Sequence, residues 1–453
     1  MKKILVWFLV ALTLWLGALS SVLAEDWIYT VRRGDTIWGL SHKYLKEPLK
    51  FKEIQDYNQV TFDRQIPPGT ILKFPLEYLK FGPAEVSVIA IQGQASFIRR
   101  QQTSTLTLQQ SLTVDDVVVT SADSSVALRF ADGSELLLGE NSELIFDVQT
   151  QYGETGMVDS RMRLNKGSAE GRVKKLIGPG SHFEVHTPSA VATVRGTEFR
   201  VRVDAADNSV VFNEVSEGKV AVNLEQDSKL VNQGFGLRAS KNQPLVEPKP
   251  LLAKPILSGV LDSYPGHPVI LDWDLIDGAV SYQVEIFSDS NLTRLTQKFD
   301  TADHQLQLPL IEPDTYYARI KGIDSEAYQG LAAVQKFTIA KVLAVPKNID
   351  LEEQIESDQT LEVSWQAVPQ ATSYQWQVAA DSEFNQILTH GEVNEPFVSI
   401  DNLQQQPLYF RVAAKGPYQE LAYSQGKPFE VVEADNGKTK FSLASVLLFI
   451  LLL

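Results

Sequence analysis

The chain has 453 residues, 44% of them hydrophobic, enough for several domains with packed cores. It has no cysteine, which excludes disulfides, thiolate metal sites, a cysteine nucleophile and a lipid-modified cysteine. A formal charge of −15 makes it a poor general binder of nucleic acid or anionic lipid.

The amino terminus has the pattern of a secretory signal over residues 1–24. Lys2 and Lys3 precede an apolar run from Ile4 to Leu16, and Val22-Leu23-Ala24 offers small residues for cleavage. The competing reading is an uncleaved anchor. Loss of Lys2 and Lys3 brings the formal charge to −17. At the other end, residues 441–453 form an apolar tail after Lys438 and Lys440. As a helix they would span roughly 20 Å, short of a bilayer core of roughly 30 Å. Membrane contact through this tail and a buried terminus stand as equal alternatives.

Residues 27–75 read as strand, helix, helix, strand. Trp27 to Val31 is β-prone, and Arg32-Arg33-Gly34-Asp35 turns the chain. Asp35 or Thr36 caps a helix whose buried stripe is Ile37, Leu40, Ser41 and Tyr44. Phe51, Ile54 and Gln55 start a second helix, which Asn58 ends in a left-handed conformation. Ile66-Pro67-Pro68-Gly69 turns into a returning strand, Thr70 to Phe74.

Tyr29, Val31, Gly34, Asp35, Thr36, Ile37 and Trp38, with Asn58, Ile66, Gly69 and Leu72 further on, resemble the LysM pattern. The resemblance implies a domain that binds N-acetylglucosamine in peptidoglycan or another such glycan. It places the ligand between Gly34, Asp35, Thr36 and Ile37 on one side and Asn58 and Ile66 on the other. Ile66 would offer an apolar wall to the acetamido methyl. The module is a basic island, with eight Lys or Arg against five Asp or Glu. That sign favours the carboxylates of peptide stems, weakly and under salt screening. Capping alone would also account for Asp35 and Asn58, and helix packing is the alternative to sugar stacking for Trp38.

After a connector at 76–85, residues 86–246 follow period two. Val126, Leu128 and Phe130 alternate, Asp132-Gly133 turns, and Leu136 and Leu138 follow. Glu140-Asn141 turns again before Leu144, Phe146 and Val148. Further on, Thr187-Pro188 precedes the strand Val191 to Val194, Gly196 bends the chain, and Phe199, Val201 and Val203 resume the alternation. The Val194-Arg195-Gly196-Thr197-Glu198-Phe199 run, with Ala131-Asp132-Gly133-Ser134 and Lys166-Gly167-Ser168, resembles FecR-type periplasmic domains. The resemblance implies a β-rich sensing or scaffolding domain without chemistry. Well-known members are anti-sigma regulators with a cytoplasmic domain ahead of a membrane span, whereas three residues precede the apolar segment here.

His182 and His186 could share one strand face and meet a metal, but His182-Phe183-Glu184-Val185-His186 also reads as a plain solvated strand. Arg195 and Glu198 fit either ligand recognition or a structural ion pair or turn contact.

Pro244 to Pro250 reads as a stiff, extended linker. Beyond it Trp273, Tyr282, Asp289, Tyr317, Arg319 and Phe337 recur as Trp365, Tyr374, Asp381, Tyr409, Arg411 and Phe429, each pair 92 positions apart. Two β-sandwiches are expected, at 255–342 and 343–433. Ile311 to Arg319 resembles the fibronectin type III pattern, with Leu403, Pro407, Tyr409 and Arg411 echoing it. The tryptophans are expected in the cores, and Asp289 and Asp381 in turns rather than on calcium.

The expected fold is mainly β and multidomain: a small βααβ LysM module, a β-rich FecR-like domain and two sandwiches. No GxSxG, HExxH or P-loop motif occurs, so no catalysis, cofactor or metal is expected. The expected protein is secreted across the inner membrane and is periplasmic or associated with the outer envelope. Its partners are a glycan and an unidentified envelope protein, with nucleic acid excluded. The alternative function is an envelope regulator of FecR type acting through a separate membrane protein.

Overall fold

The computed structural model describes residues 25–264, 268–309, 311–339, 342–369, 371–404, 406–416 and 421–434. The leader at 1–24 and the apolar tail at 441–453 lie outside the described residues. Among the described residues no helix is long and apolar enough to cross a membrane. The fold is mainly β and multidomain. Two compact units divide it: one holds residues up to Ser258 with Asp272–His304 and Tyr317–Gln335, the other Gly259–Leu271, Gln305–Tyr316 and the described residues from Lys336 on.

The first unit begins with strands Asp26–Thr30 and Ile71–Pro75, paired antiparallel around helices Ile37–Tyr44 and Phe51–Tyr57. The first helix buries Ile37, Leu40, Ser41 and Tyr44, the stripe expected from its spacing. Thr36 is its cap, accepting a hydrogen bond from the Gly39 amide at 3.0 Å. The connector after this module is not free. Leu79 is fully buried in the module's core, the Lys80 amide donates to Tyr44 O at 2.7 Å, and Met157 from the following domain joins the same core.

The next body is two facing sheets of nine and ten strands. Val126, Leu128, Phe130, Leu136, Leu138, Leu144 and Phe146 all point into the shared core. Strands Ser125–Phe130 and Glu135–Leu138 pair in one sheet. Strand Glu143–Gln151 belongs to the other, so the Glu140-Asn141 turn carries the chain across the sandwich. Asn141 takes φ 52° there.

The 244–250 stretch is extended but is not a spacer. Leu245 is buried in the FecR-like core and its amide donates to Asp227 Oδ2 at 3.0 Å. Lys249–Pro250 pairs with Phe235–Gly236 as an edge strand. An apolar side chain within reach of an open sheet edge anneals to it, and proline is tolerated at that edge.

The duplication is visible strand for strand. Leu295–Thr301 has its counterpart in Ile387–Val393, Ala279–Phe287 in Ser373–Ala379, and Thr315–Asp324 in Pro407–Lys415. In the second repeat, five strands form one sheet in the order Gln354–Glu356, Lys427–Val432, Pro407–Lys415, Ser373–Ala379, Ile387–Val393. Leu361–Ser364 and Phe397–Ile400 pair separately. Asp289 accepts from the amides of Thr293 and Arg294, and Asp381 from those of Asn385 and Gln386, as turn residues do.

Candidate functional site

The loop after the first strand and the loop after the second helix meet in the small βααβ module. The Ile37 amide donates to Asp63 O at 3.2 Å and ties them together. Gly34, with φ 94°, turns the first loop, and an added Cβ there would meet nothing within 4 Å, so its backbone faces open space. Asp35 is held from two sides. Its Oδ2 accepts from Tyr29 Oη and from the Arg32 amide, each at 2.7 Å. Burial, aided by that carboxylate, pushes the Tyr29 phenol up to about 12.

Asn58 does not take the left-handed conformation expected of it. Its φ is −94°, and Gln59 takes the positive φ instead, 55°. The reason is its side chain. Nδ2 donates to Ile54 O at 2.9 Å and to Lys73 O at 2.8 Å, while Oδ1 accepts from the Lys73 amide at 2.6 Å. Asn58 therefore staples the second helix to the returning strand. Asn58→Ala would leave the Lys73 amide and carbonyl short of a partner, while Ile54 O keeps the backbone amide of residue 58, with an expected loss of about 1–3 kcal/mol. Thermal melting of the variant checks this, and a melting point within error of the parent would refute it.

Ile37 and Ile66 are 0% and 8% exposed, so both side chains belong to the module's core. The apolar wall expected from Ile66 is not on the surface. The exposed apolar group in that loop is Phe62, 67% exposed and beside Asp63. Its signal was available as a lone aromatic in the polar run Thr61-Phe62-Asp63-Arg64. Trp38 is 44% exposed. It stacks on His42 at 5.8 Å and meets Phe51 edge-on at 5.1 Å, so one side packs and the other stays open.

In the FecR-like body, Gly196 is required by its surroundings. Its φ is 74° and a Cβ would come within 2.9 Å of Lys175 Cα. Glu198 pairs with Arg172 at 2.6 Å rather than with Arg195, which is exposed. The buried arginine of this stretch is Arg200, which sequence reading passed over. Its Nε donates to Glu214 at 3.0 Å, and Nη2 to the carbonyls of Gln329 and Gly330 at 2.7 and 2.8 Å. Glu214 in turn accepts from the Gln329 amide at 2.6 Å. Nothing local marks Arg200, because the carbonyls it binds lie more than a hundred residues away and Glu214 is on another strand.

The same face continues into an ionic cluster with the first repeat. Arg319 donates from Nε to Glu285 at 2.8 Å and from Nη1 to Glu170 at 2.5 Å, and Lys321 Nζ lies 3.2 Å from Glu285. Glu285, Arg319 and Lys321 are 6%, 5% and 2% exposed. Burial alone would raise the Glu285 carboxyl, but the two cations hold it below the ordinary carboxylate range, whereas burial brings Lys321 down to about 8.

His182 and His186 sit on a polar strand face with Phe183 and Val185 buried between them. His182 Nδ1 lies 3.8 Å from Asp159 and His186 Nε2 3.1 Å from Glu184. The two rings thus have separate carboxylate neighbours. Among the described residues no group of three or more potential metal ligands occurs.

Two modules carry a family assignment. Residues 29–75 match the family model of the LysM domain, and residues 116–221 match that of the FecR protein. No curated protein matches the chain. Among solved structures, a candidate anti-sigma factor from Parabacteroides distasonis ATCC 8503 is similar at 17% identity over 30% of this chain, with a TM-score of 0.25. The chain spans 59% of that protein's length. The FN1–FN3 domains of chicken CNTN1 are similar at 13% identity, covering 51% of this chain and 97% of theirs, with a TM-score of 0.24. A two-domain fibronectin type III segment of chicken tenascin is similar at 12% identity, covering 40% and 99%, with a TM-score of 0.23.

Proposed function

We propose that this chain is a non-catalytic cell-envelope protein that holds N-acetylglucosamine-containing glycan, peptidoglycan above all, through its LysM module. The LysM match carries this reading. The ligand groove runs between Gly34, Asp35, Thr36 and Ile37 on one side and Asn58 and Ile66 on the other. In it the loop backbone supplies hydrogen bonds, Asp35 and Asn58 hold the loops in shape, and Phe62 supplies the exposed apolar surface that Ile66 does not. The FecR-like body and the repeats then serve as a scaffold or sensor for an envelope protein, with no cofactor. Weak glycan contacts gain residence when several modules of one chain are held near their ligands.

Deletion of residues 27–75 is expected to abolish recovery of the protein with purified sacculi; undiminished recovery would end the glycan reading. The FecR match supports a second reading, in which the chain relays an envelope signal through a separate membrane protein. That reading predicts an altered transcript profile on deletion of the gene, and an unchanged profile removes it.

A further inference from the structure

The two repeats match strand for strand, so each side chain on the first has a defined counterpart on the second. In the first repeat the outer sheet face carries Gln283, Glu285, Arg319 and Lys321, while Tyr282, Val284, Ala318 and Ile320 point inward. Glu285 and Arg319 are cross-strand neighbours. This face is occupied: Arg319 reaches Glu170 on strand Ser168–Arg172 of the FecR-like sheet, and Lys298 reaches Glu140 at 2.8 Å.

The equivalent face of the second repeat carries Gln375, Gln377, Arg411 and Ala413, and Gln377 and Arg411 are again cross-strand neighbours. Arg411 keeps its geometry. Nε donates to Gln377 Oε1 at 2.8 Å, the position at which Arg319 meets Glu285. The guanidinium is clamped between Phe384 at 4.1 Å and Tyr423 at 4.3 Å, and Tyr423 Oη donates to Gln375 Oε1 at 2.7 Å.

The charge balance differs. The carboxylate of Glu285 is replaced by the amide of Gln377, and the ammonium of Lys321 by the methyl of Ala413. Among the described residues no carboxylate pairs with Arg411, which is half-buried and rigidly stacked. A guanidinium already oriented by two rings and one hydrogen bond loses little freedom on meeting a carboxylate, so the pairing is favoured. Ala413 is itself fully buried, so the surface offered is Arg411 with its half-buried neighbours Gln375 and Gln377, and Leu388, 38% exposed on the neighbouring strand, adds apolar contact.

We infer that this face docks a β-sheet of another protein that presents an aspartate or glutamate to Arg411, as the FecR-like sheet presents Glu170 to Arg319. The FecR-like sheet of a second copy is not the occupant, because its Glu170 is engaged by its own first repeat. The inference goes beyond glycan binding and does not depend on it.

The test places a photoreactive benzoylphenylalanine at the exposed Leu388 of the full chain in intact cells, which leaves Gln377 and the Arg411 clamp in place. The expected result is a cross-link to one other protein, mapping to a strand that carries an acidic residue. Arg411→Glu is expected to lower its yield about tenfold, the scale of a close charge pair at an interface. Gln375→Glu should do the same. Its carboxylate still accepts from Tyr423, so the clamp stays folded while like charge repels the incoming acid. Changing the partner's acidic residue to arginine should restore the yield in the Arg411→Glu chain. A cross-link insensitive to both substitutions, one to a second copy or to glycan, or none at all would overturn the proposal.

Discussion

Replacing Arg319 with alanine is expected to lower the unfolding free energy by about 3–5 kcal/mol, the scale for removing one member of a buried ionic pair. The loss is not the worth of the contact itself. It arises because Glu285, 6% exposed, keeps only Lys321 as a cation, while Glu170 loses its guanidinium altogether. Arg319→Met with Glu285→Met should recover much of the loss, since two apolar side chains leave less uncompensated charge than one alanine does. Urea denaturation followed by circular dichroism decides. A loss for Arg319→Ala below about 1 kcal/mol would show that water reaches the cluster.

The same cluster sets a pH dependence with a definite sign. Lys321 titrates at about 8 in the folded chain against an ordinary 10.5. Between those values the unfolded chain holds the extra proton, so stability rises with pH there. Below pH 8 the buried ammonium is a cost, and Lys321→Met should be at least as stable as the parent at neutral pH while losing the rise. Tyr29 acts in the opposite direction higher up. Its phenol moves from 10.0 to about 12, so its contribution is complete below pH 10 and is lost as pH climbs from 10 to 12. The rise due to Lys321 is therefore best read between pH 8 and 10. On the acid side, Glu285 is depressed, so its contribution is present above the ordinary carboxylate value of 4.5 and is lost as pH falls below it.

Trp273→Ala is expected to cost about 3–5 kcal/mol, and Trp365→Ala a similar amount. The indoles are 1% and 6% exposed. They meet Tyr282 and Tyr374 edge-on at 5.4 and 5.3 Å, with ring planes at 67° and 66°. Among the described residues neither indole nitrogen has a hydrogen-bond partner. The cost therefore comes from packing and the cavity left behind, and phenylalanine should recover most of it. If phenylalanine proved as damaging as alanine at either site, ring volume would not be the stabilising factor there. The paired tyrosines hold the adjoining turns, since the amides of Ile276 and Val368 donate to their phenols at 3.1 and 2.9 Å.

Much of this architecture is written locally. The helix stripe of Ile37, Leu40, Ser41 and Tyr44 and the alternating Val126, Leu128 and Phe130 are periodic signals that tertiary packing had no reason to override. The constant spacing of Trp273 and Trp365 announced a duplication that the strands repeat. The two loops of the βααβ module were legible, but not the surface that they present. The LysM resemblance picked out Asn58 and Ile66, yet it could not tell that Asn58 would spend its side chain on Lys73, or that Ile66 would turn inward and leave Phe62 outside.

What the amino-acid order determined alone is the set of modules, because strand and helix periods, turn pairs and a repeat are all short-range patterns. What only the folded chain decided is which charges are buried together. Arg200 with Glu214, and Arg319 with Glu170 and Glu285, look like ordinary surface positions along alternating strands. They become buried because the outer faces of two sheets close on each other, and desolvation depends on the neighbour in space rather than the neighbour in sequence.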